Sequence, residues 1–218
     1  MGTLLTFEPP APHLRAALRA AAGVDVGQEA AARAVRAEIA HYRAHLHLGA
    51  DSAGLAELRR AAADAMRPEL PEPAASLGGH ELVEALLDAL RFRAYPEVAP
   101  TLRELRRRGI RLVVVSNWDV SLHERLAELE LAPLLDGVLA SAELGAAKPE
   151  PAIFAAALEL AGAAAEQAWH AGDSPEADVA GALAAGVRPV LVARHGEPAP
   201  PGVARITALD GLISLLDG

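Results

Sequence analysis

The 218 residues include no cysteine, one lysine and two methionines, and only 3% of them are aromatic. Without cysteine the chain can form neither a disulfide nor a thiolate zinc site, and it fits a reducing compartment, so a cytoplasmic location is expected. No apolar run approaches the ~18 residues that a membrane helix needs, and no membrane partner is expected. The start, MGTLLTFEPP, has no basic segment and carries Glu8, so it does not read as a signal peptide. It also fits the M-G-x-x-x-T acylation pattern through Gly2 and Thr6, a match short enough to arise by chance. Positive charge is in deficit: the net charge is −9 and the pI about 5.4, which argues against a nucleic-acid partner.

What is there describes a globular protein. Hydrophobic residues make up 52% of the chain and charged residues 22%, a balance that buries a core and does not give disorder. The length suits one large domain or a core with a smaller appended unit. All basic side chains except Lys148 are arginines. Where arginine is the default cation, a solitary lysine marks a place suited to a compact ammonium and not to a planar guanidinium fork. Survival by drift is the alternative, and the neighbours of Lys148 have to decide.

The pattern changes near Pro96. Before it the spacing predicts helices only, over 12–22, 27–48, 51–66 and 80–93, with the PELPEP stretch as a loop. Such a block is a bundle-like unit. After Pro96 helices and strands alternate. Helices are predicted over 100–108, 121–129, 149–160 and 178–185. Strands are predicted over 111–116, 137–141, 169–173 and 190–193. The run RLVVVS is β-branched and continuous, as in a strand buried on both faces. The alternation implies an α/β fold, a Rossmann-like, doubly wound parallel sheet. The helical block reads as a cap inserted into it. The expected division is 1–11 with 96–218 for the sheet domain and 12–95 for the helical cap.

Ligands of such sheets bind at the carboxyl ends of the strands. One strand ends in Ser116-Asn117. Lys148 follows the next. A third ends in Gly172-Asp173-Ser174, with Asp178 about one helical turn later. A hydroxyl, an ammonium and two carboxylates are therefore expected on one edge. The carboxylates suit a hard divalent cation, Mg²⁺, and the hydroxyl and ammonium suit an anion such as phosphate. A purely structural Lys–Asp ion pair is the competing explanation.

With those residues in place, the chain resembles the haloacid dehalogenase-like (HAD) hydrolases, in particular those with a helical cap inserted early. The resemblance covers nearly the whole sequence. VVVSN is similar to the family's second motif, SAELGAAKPEPAIF to the third and AGDSPEADVAGALAAG to the fourth. The resemblance implies that Ser116 binds the transferring phosphoryl group and Lys148 neutralises its charge. It implies that Asp173 coordinates Mg²⁺ and that Asp178 supports the metal or the lysine. Asn117 and Trp118 would line the substrate pocket, with Trp118 equally suited to packing between core and cap. The cap would close over the site and exclude water. The implied activity is a Mg²⁺-dependent phosphatase acting on a small phosphorylated metabolite, in a monomer or homodimer.

The family's first motif, D-x-D-G-T-L, is present only as Gly2-Thr3-Leu4-Leu5. Its first Asp is the family's nucleophile, which becomes an aspartyl-phosphate. The sequence is therefore expected to start at an internal start codon of a longer protein, with the nucleophile and the first central strand upstream. Losing that strand removes four or five buried apolar side chains at ~1.5–3 kcal/mol each, comparable with the ~5–15 kcal/mol that holds a domain together. Met1 stands where the second Asp, the usual general acid, would be. Its backbone carbonyl is left as a metal ligand. A leaving group that needs no proton raises the alternative of a 2-haloacid dehalogenase. Metal-independent dehalogenases of the family carry Ser at the position of Asp173 and Asn two residues on, where this chain has Pro175. A catalytically inactive binding form is the third reading.

Other features carry less. His41 and His45 share a helix face, with His47 close by, but no acidic third ligand follows, so a solvated or lid-lining role is expected. Tyr42 and Arg43 are expected to pack on the helix. His13, His80 and His123 read as surface or cap residues, and His195–Gly202 as a surface loop. Arg106–Arg108 offset a helix dipole.

Overall fold

In the N-terminal part, apolar residues recur at helical spacing and so give helices that need one another to bury a face. The computed structural model, which describes residues 2–217, divides the chain into two units. One is the chain up to Thr6 together with everything from Ala94 onward; the other is Phe7–Arg93. The boundaries fall inside two short strands, β1 (Leu5–Phe7) and β2 (Phe92–Ala94), which pair with each other.

The unit over Phe7–Arg93 holds α1 (Pro10–Ala22), α2 (Gln28–His45), α3 (Ser52–Asp64) and α4 (Gly79–Ala89). Pro10 opens α1 at a position where its missing N–H costs nothing, and Gly23 closes it in the left-handed conformation. Asp51 caps α3 by accepting from the Gly54 N–H at 2.8 Å. Leu14, Leu18, Val26, Met66 and Leu82 interlock in a core with no exposure at all. Two sequence expectations change here. The second helix stops at His45 and continues to Ala50 as a 3₁₀ segment. The fourth ends at Ala89, and Phe92–Ala94 is a strand because its backbone is claimed by β1.

The other unit begins with α5 (Val98–Arg107), followed by β3 (Val113–Ser116), α6 (Leu122–Glu128), β4 (Gly137–Ala140), α7 (Ser141–Leu144) and α8 (Pro151–Ala161). Then come β5 (Trp169–Gly172), α9 (Gly181–Ala184), β6 (Arg188–Val192), β7 (Ala204–Ile206) and α10 (Gly211–Asp217). All strand pairs in it are parallel: β3 with β4, β5 with β6, and β6 with β7. The register sets Ser116 beside Ala140 and Gly172 beside Leu191, so the carboxyl ends are level within each pair. β7 and α10 were not expected. Ile153 and Phe154 of α8 pack with Ala182 of α9 and Val187, which joins the two helices ahead of the site. The helix expected over 178–185 starts earlier, as a π-helical turn over Pro175–Ala180 that runs into α9. None of the helices described here is long and apolar enough to cross a membrane.

Glu38 is the one carboxyl buried in the helical unit, 4% exposed on α2. Burial disfavours its charge and raises its pKa to about 7. In the unfolded chain the group titrates near 4.3, so the folded state binds the extra proton, and stability falls as pH rises from about 4.5 to 7. Glu38→Gln is expected to remove that slope. Urea unfolding at pH 5 and pH 8 should show the variant gaining on the native chain at the higher pH.

Candidate active site

A lysine ammonium buried near a strand end is stable only if its charge and protons are met. Lys148 lies in the loop ahead of α8, with a side chain only 12% exposed. Its Nζ donates to the Val115 carbonyl at 2.8 Å and to Asp178 Oδ1 at 2.6 Å. An ammonium has three protons, and these contacts use two. Asn117 fixes the lysine's backbone: its Nδ2 donates to the Lys148 carbonyl and its Oδ1 accepts the Lys148 N–H, both at 2.8 Å. The residue after Ser116 thus ties β3 to the lysine loop.

Asp178 is the hub. Its Oδ1 also accepts from His170 Nε2 at 2.8 Å, and its Oδ2 from the Ser174 N–H at 2.9 Å. Burial would raise its pKa, but the His170 hydrogen bond and the Lys148 charge outweigh this and hold the carboxyl far below the usual range. The approach requires Gly172, since a β-carbon there would lie 2.1 Å from Asp178 Cγ. The early π-helical turn brings Asp178 back to Ser174, and the Ser174 hydroxyl accepts from the Ala177 N–H at 3.0 Å.

Asp173 follows Gly172 and is half-buried. It meets the start of the chain: Thr3 Oγ1 donates to Asp173 Oδ1 at 2.6 Å. Gly2 has φ 106° and lies so close that a β-carbon would sit 2.4 Å from Asp173 Oδ2. A side chain is excluded there on both counts.

Ser116, Asn117, Trp118, Lys148, Asp173 and Asp178 all line one cavity of about 710 Å³. Among them Trp118 also packs in the core, its indole N–H within 3.4 Å of Ser121 Oγ. The same cavity is bordered by the whole of β3 and by Trp169–Ala171 of β5. Among the described residues β3 pairs only with β4, and β5 only with β6. Met1, expected as a carbonyl ligand, lies outside the described residues.

For a divalent cation the residues divide. Asp173 offers a carboxylate on the cavity wall. Both oxygens of Asp178 are engaged by protein donors. Among the described residues no three or more His, Cys, Asp or Glu converge. That donor set does not suit a cation needing a full protein cage. It fits Mg²⁺, which takes one or two carboxylates and keeps several waters.

Sequence reasoning missed His170, Thr3 and Arg194. The signal that could have found His170 is a polar residue inside an apolar strand; its ring meets Phe154 edge-on at 5.1 Å. His123 is on the surface, paired with Glu143 at 2.7 Å; His80 is likewise exposed, beside Glu84, and His13 pairs with Glu8. His41 and His45 stack with centroids 4.2 Å apart, and His45 Nδ1 bonds the His41 carbonyl.

The family model for a hydrolase described as haloacid dehalogenase-like matches residues 1–186, and the chain belongs to that family. The phosphoserine phosphatase of Thermus thermophilus is 42% identical over 123 residues, 56% of this chain and 49% of that protein. The chain spans about half the length of the curated relatives it matches. The crystal structure of a HAD phosphatase from Thermococcus onnurineus aligns with a TM-score of 0.67 at 26% identity, covering 100% of this chain and 95% of that one. A 2-haloacid dehalogenase from Pseudomonas syringae pv. Tomato DC3000 aligns with the same TM-score at 27% identity, covering 99% and 94%.

Because the folded pKa of Asp178 is depressed, its contribution to stability is present above about pH 4, the unfolded value, and is lost as pH falls below it. Asp178→Asn leaves the Lys148 ammonium without a counter-charge and is expected to cost about 3–5 kcal/mol at pH 7. Its acid unfolding limb should be flatter than that of the native chain when chemical denaturation is repeated from pH 7 to pH 3.

Proposed function

We propose that the chain belongs to a Mg²⁺-dependent phosphatase acting on a small phosphorylated metabolite through an aspartyl-phosphate, with the nucleophilic Asp not among the 218 residues. The observation that carries this reading is the anchored ammonium. Lys148 is held between the Val115 carbonyl and Asp178, next to Ser116, with one proton left for an anion. Phosphatase relatives such as the Thermus enzyme support the phosphoryl substrate.

In this reading Ser116 and Lys148 bind the phosphoryl oxygens, and Asp178 positions Lys148. Asp173, and the Met1 carbonyl if it lies as the family pattern implies, would hold the cation. When bound, Mg²⁺ supplies charge neutralisation on the transferring group. The nucleophilic carboxylate oxygen forms a bond to phosphorus while the ester P–O bond breaks and the leaving oxygen takes a proton from water; a second water then attacks the acyl phosphate, releasing inorganic phosphate and restoring the carboxylate. Asn117 and Trp118 contribute to the pocket wall. The cavity bordered by the edges of β3 and β5 that carry no strand among the described residues supports a further strand there, the one that would carry the nucleophile.

Fold likeness does not separate this from dehalogenation, since a dehalogenase aligns as well as a phosphatase does. Asp173 favours the metal-assisted phosphoryl reaction. A chain extended by an apolar strand with Asp two positions before Met1 is expected to hydrolyse small phosphate monoesters only with Mg²⁺ present. Lys148→Ala and Asp173→Asn should each lower turnover by about 10²-fold or more. Halide release from 2-haloacids without Mg²⁺ would replace this assignment by the dehalogenase one. Absence of both activities would leave a binding protein.

A further inference from the structure

Arg194 follows β6, just ahead of the surface loop expected over His195–Gly202, yet its side chain is only 10% exposed. Its guanidinium is spent on the start of the chain. Nε donates to the Gly2 carbonyl and Nη2 to the Thr3 carbonyl, both at 2.7 Å. Nη2 also donates to Glu97 Oε1 at 2.6 Å, and the guanidinium carbon lies 3.5 Å from the centre of the Tyr95 ring. Glu97 is itself 18% exposed. The Tyr95 N–H donates to the Leu4 carbonyl at 3.1 Å. One planar fork therefore grips two successive carbonyls while an acid and an aromatic face fix the fork.

Those carbonyls belong to the residues that meet Asp173 from its other side, through the Thr3 hydroxyl and the close approach of Gly2. Gly2 and Thr3 lie outside the helices and strands of the described residues, so no regular ladder holds them. Clamped between a buried guanidinium and a carboxylate, they hold position, and so does the carboxylate. A lysine has no second coplanar donor at the spacing of adjacent carbonyls, which agrees with the chain's use of arginine here and lysine only at 148.

We propose that Arg194 is a positioning residue of the candidate site: by gripping the Gly2 and Thr3 carbonyls it sets the orientation of the Asp173 carboxylate. The proposal rests on the reading of Asp173 as a cation ligand only for its functional consequence; the coupling itself is independent of any metal. Arg194→Gln, Asp173→Asn and the double variant are compared by urea unfolding of the 218-residue chain. If Arg194 acts through Gly2 and Thr3 on Asp173, the effect of Arg194→Gln on the unfolding constant shrinks at least about threefold in the Asp173→Asn background. Additive effects overturn the proposal. Should Arg194→Gln not fold, Arg194→Lys, which keeps the charge and loses the fork, takes its place in the same cycle.

Mn²⁺ titration of the native and Arg194→Lys chains supplies the second readout. Binding is expected to weaken roughly 10- to 100-fold in the variant, as when a residue orienting a metal ligand is lost. Reduced stability with unchanged Mn²⁺ affinity assigns Arg194 a purely structural part and overturns the proposal. If the native chain takes up no Mn²⁺, the cation reading of Asp173 fails, and the unfolding cycle alone decides the role of Arg194.

Discussion

The Lys148–Asp178 ion pair is the constraint on which the site depends. Taking two charges out of water costs several kcal/mol each, and their attraction offsets this only when every remaining donor and acceptor is met. Here all but one ammonium proton, the one left for an anion, are met from several elements. β3 gives the Val115 carbonyl, β5 gives His170, and the loop beyond β5 gives the Ser174 N–H. Asn117 locks the lysine's own backbone. A pair satisfied in this way is a poor source of stability compared with an apolar replacement, but it fixes an ammonium in one place. That is what recognition of an anion needs, and a flexible surface lysine, which loses entropy on binding, does not provide it.

The parallel sheet makes the convergence possible. Parallel register levels the carboxyl ends within each strand pair, so residues far apart in sequence arrive on one edge. Local backbone then does the fine placement. Gly172 leaves the space that the Asp178 carboxyl fills, and Gly181 likewise lets α9 meet Phe154, where a β-carbon would lie 2.7 Å from the ring. The π-helical turn over Pro175–Ala180 allows both the Asp178 and the Val179 N–H to bond the Ser174 carbonyl, at 2.9 and 3.1 Å. The spacing of GDSPEAD is thus the spacing at which a carboxylate five residues after Asp173 returns to the backbone of Ser174.

Much of this is legible in the amino-acid sequence. The β-branched run ending at Ser116, the lone Lys148 and the paired acids at 173 and 178 are local signals, and local signals survive in a one-dimensional string. The alternation after Pro96 points to the parallel α/β class for the same reason. The remainder depends on contacts distant in sequence. Arg194 meets residues 2 and 3, a link across almost the whole chain that no periodicity encodes. Phe92–Ala94 continues an apolar helical pattern and becomes a strand only because β1 offers a ladder. β7, three residues long, has too few positions to alternate detectably, and it forms where β6 exposes an edge. His170 shows its role only once the fold sets Asp178 opposite it.

In the proposed reading, charge is what separates the chemistries that one fold can host. The lysine and Asp178 together are formally neutral, so the pair offers a directed proton and little net field. Asp173 stands on the same cavity wall with a negative charge of its own. A phosphate monoester arrives with nearly two further negative charges, and like charges within a few ångströms repel strongly where the dielectric is low. A single ammonium, already shared with Asp178, does not offset both. In the proposed reading Asp173 would help to hold a divalent cation, whose charge would offset that repulsion, and Asp173 would then have a reason to be an acid. A haloacid carries one negative charge and releases a stable anion, so a dehalogenase gains nothing from a carboxylate at this position. On that reading, the acid that would burden dehalogenation is the one that phosphoryl transfer would use.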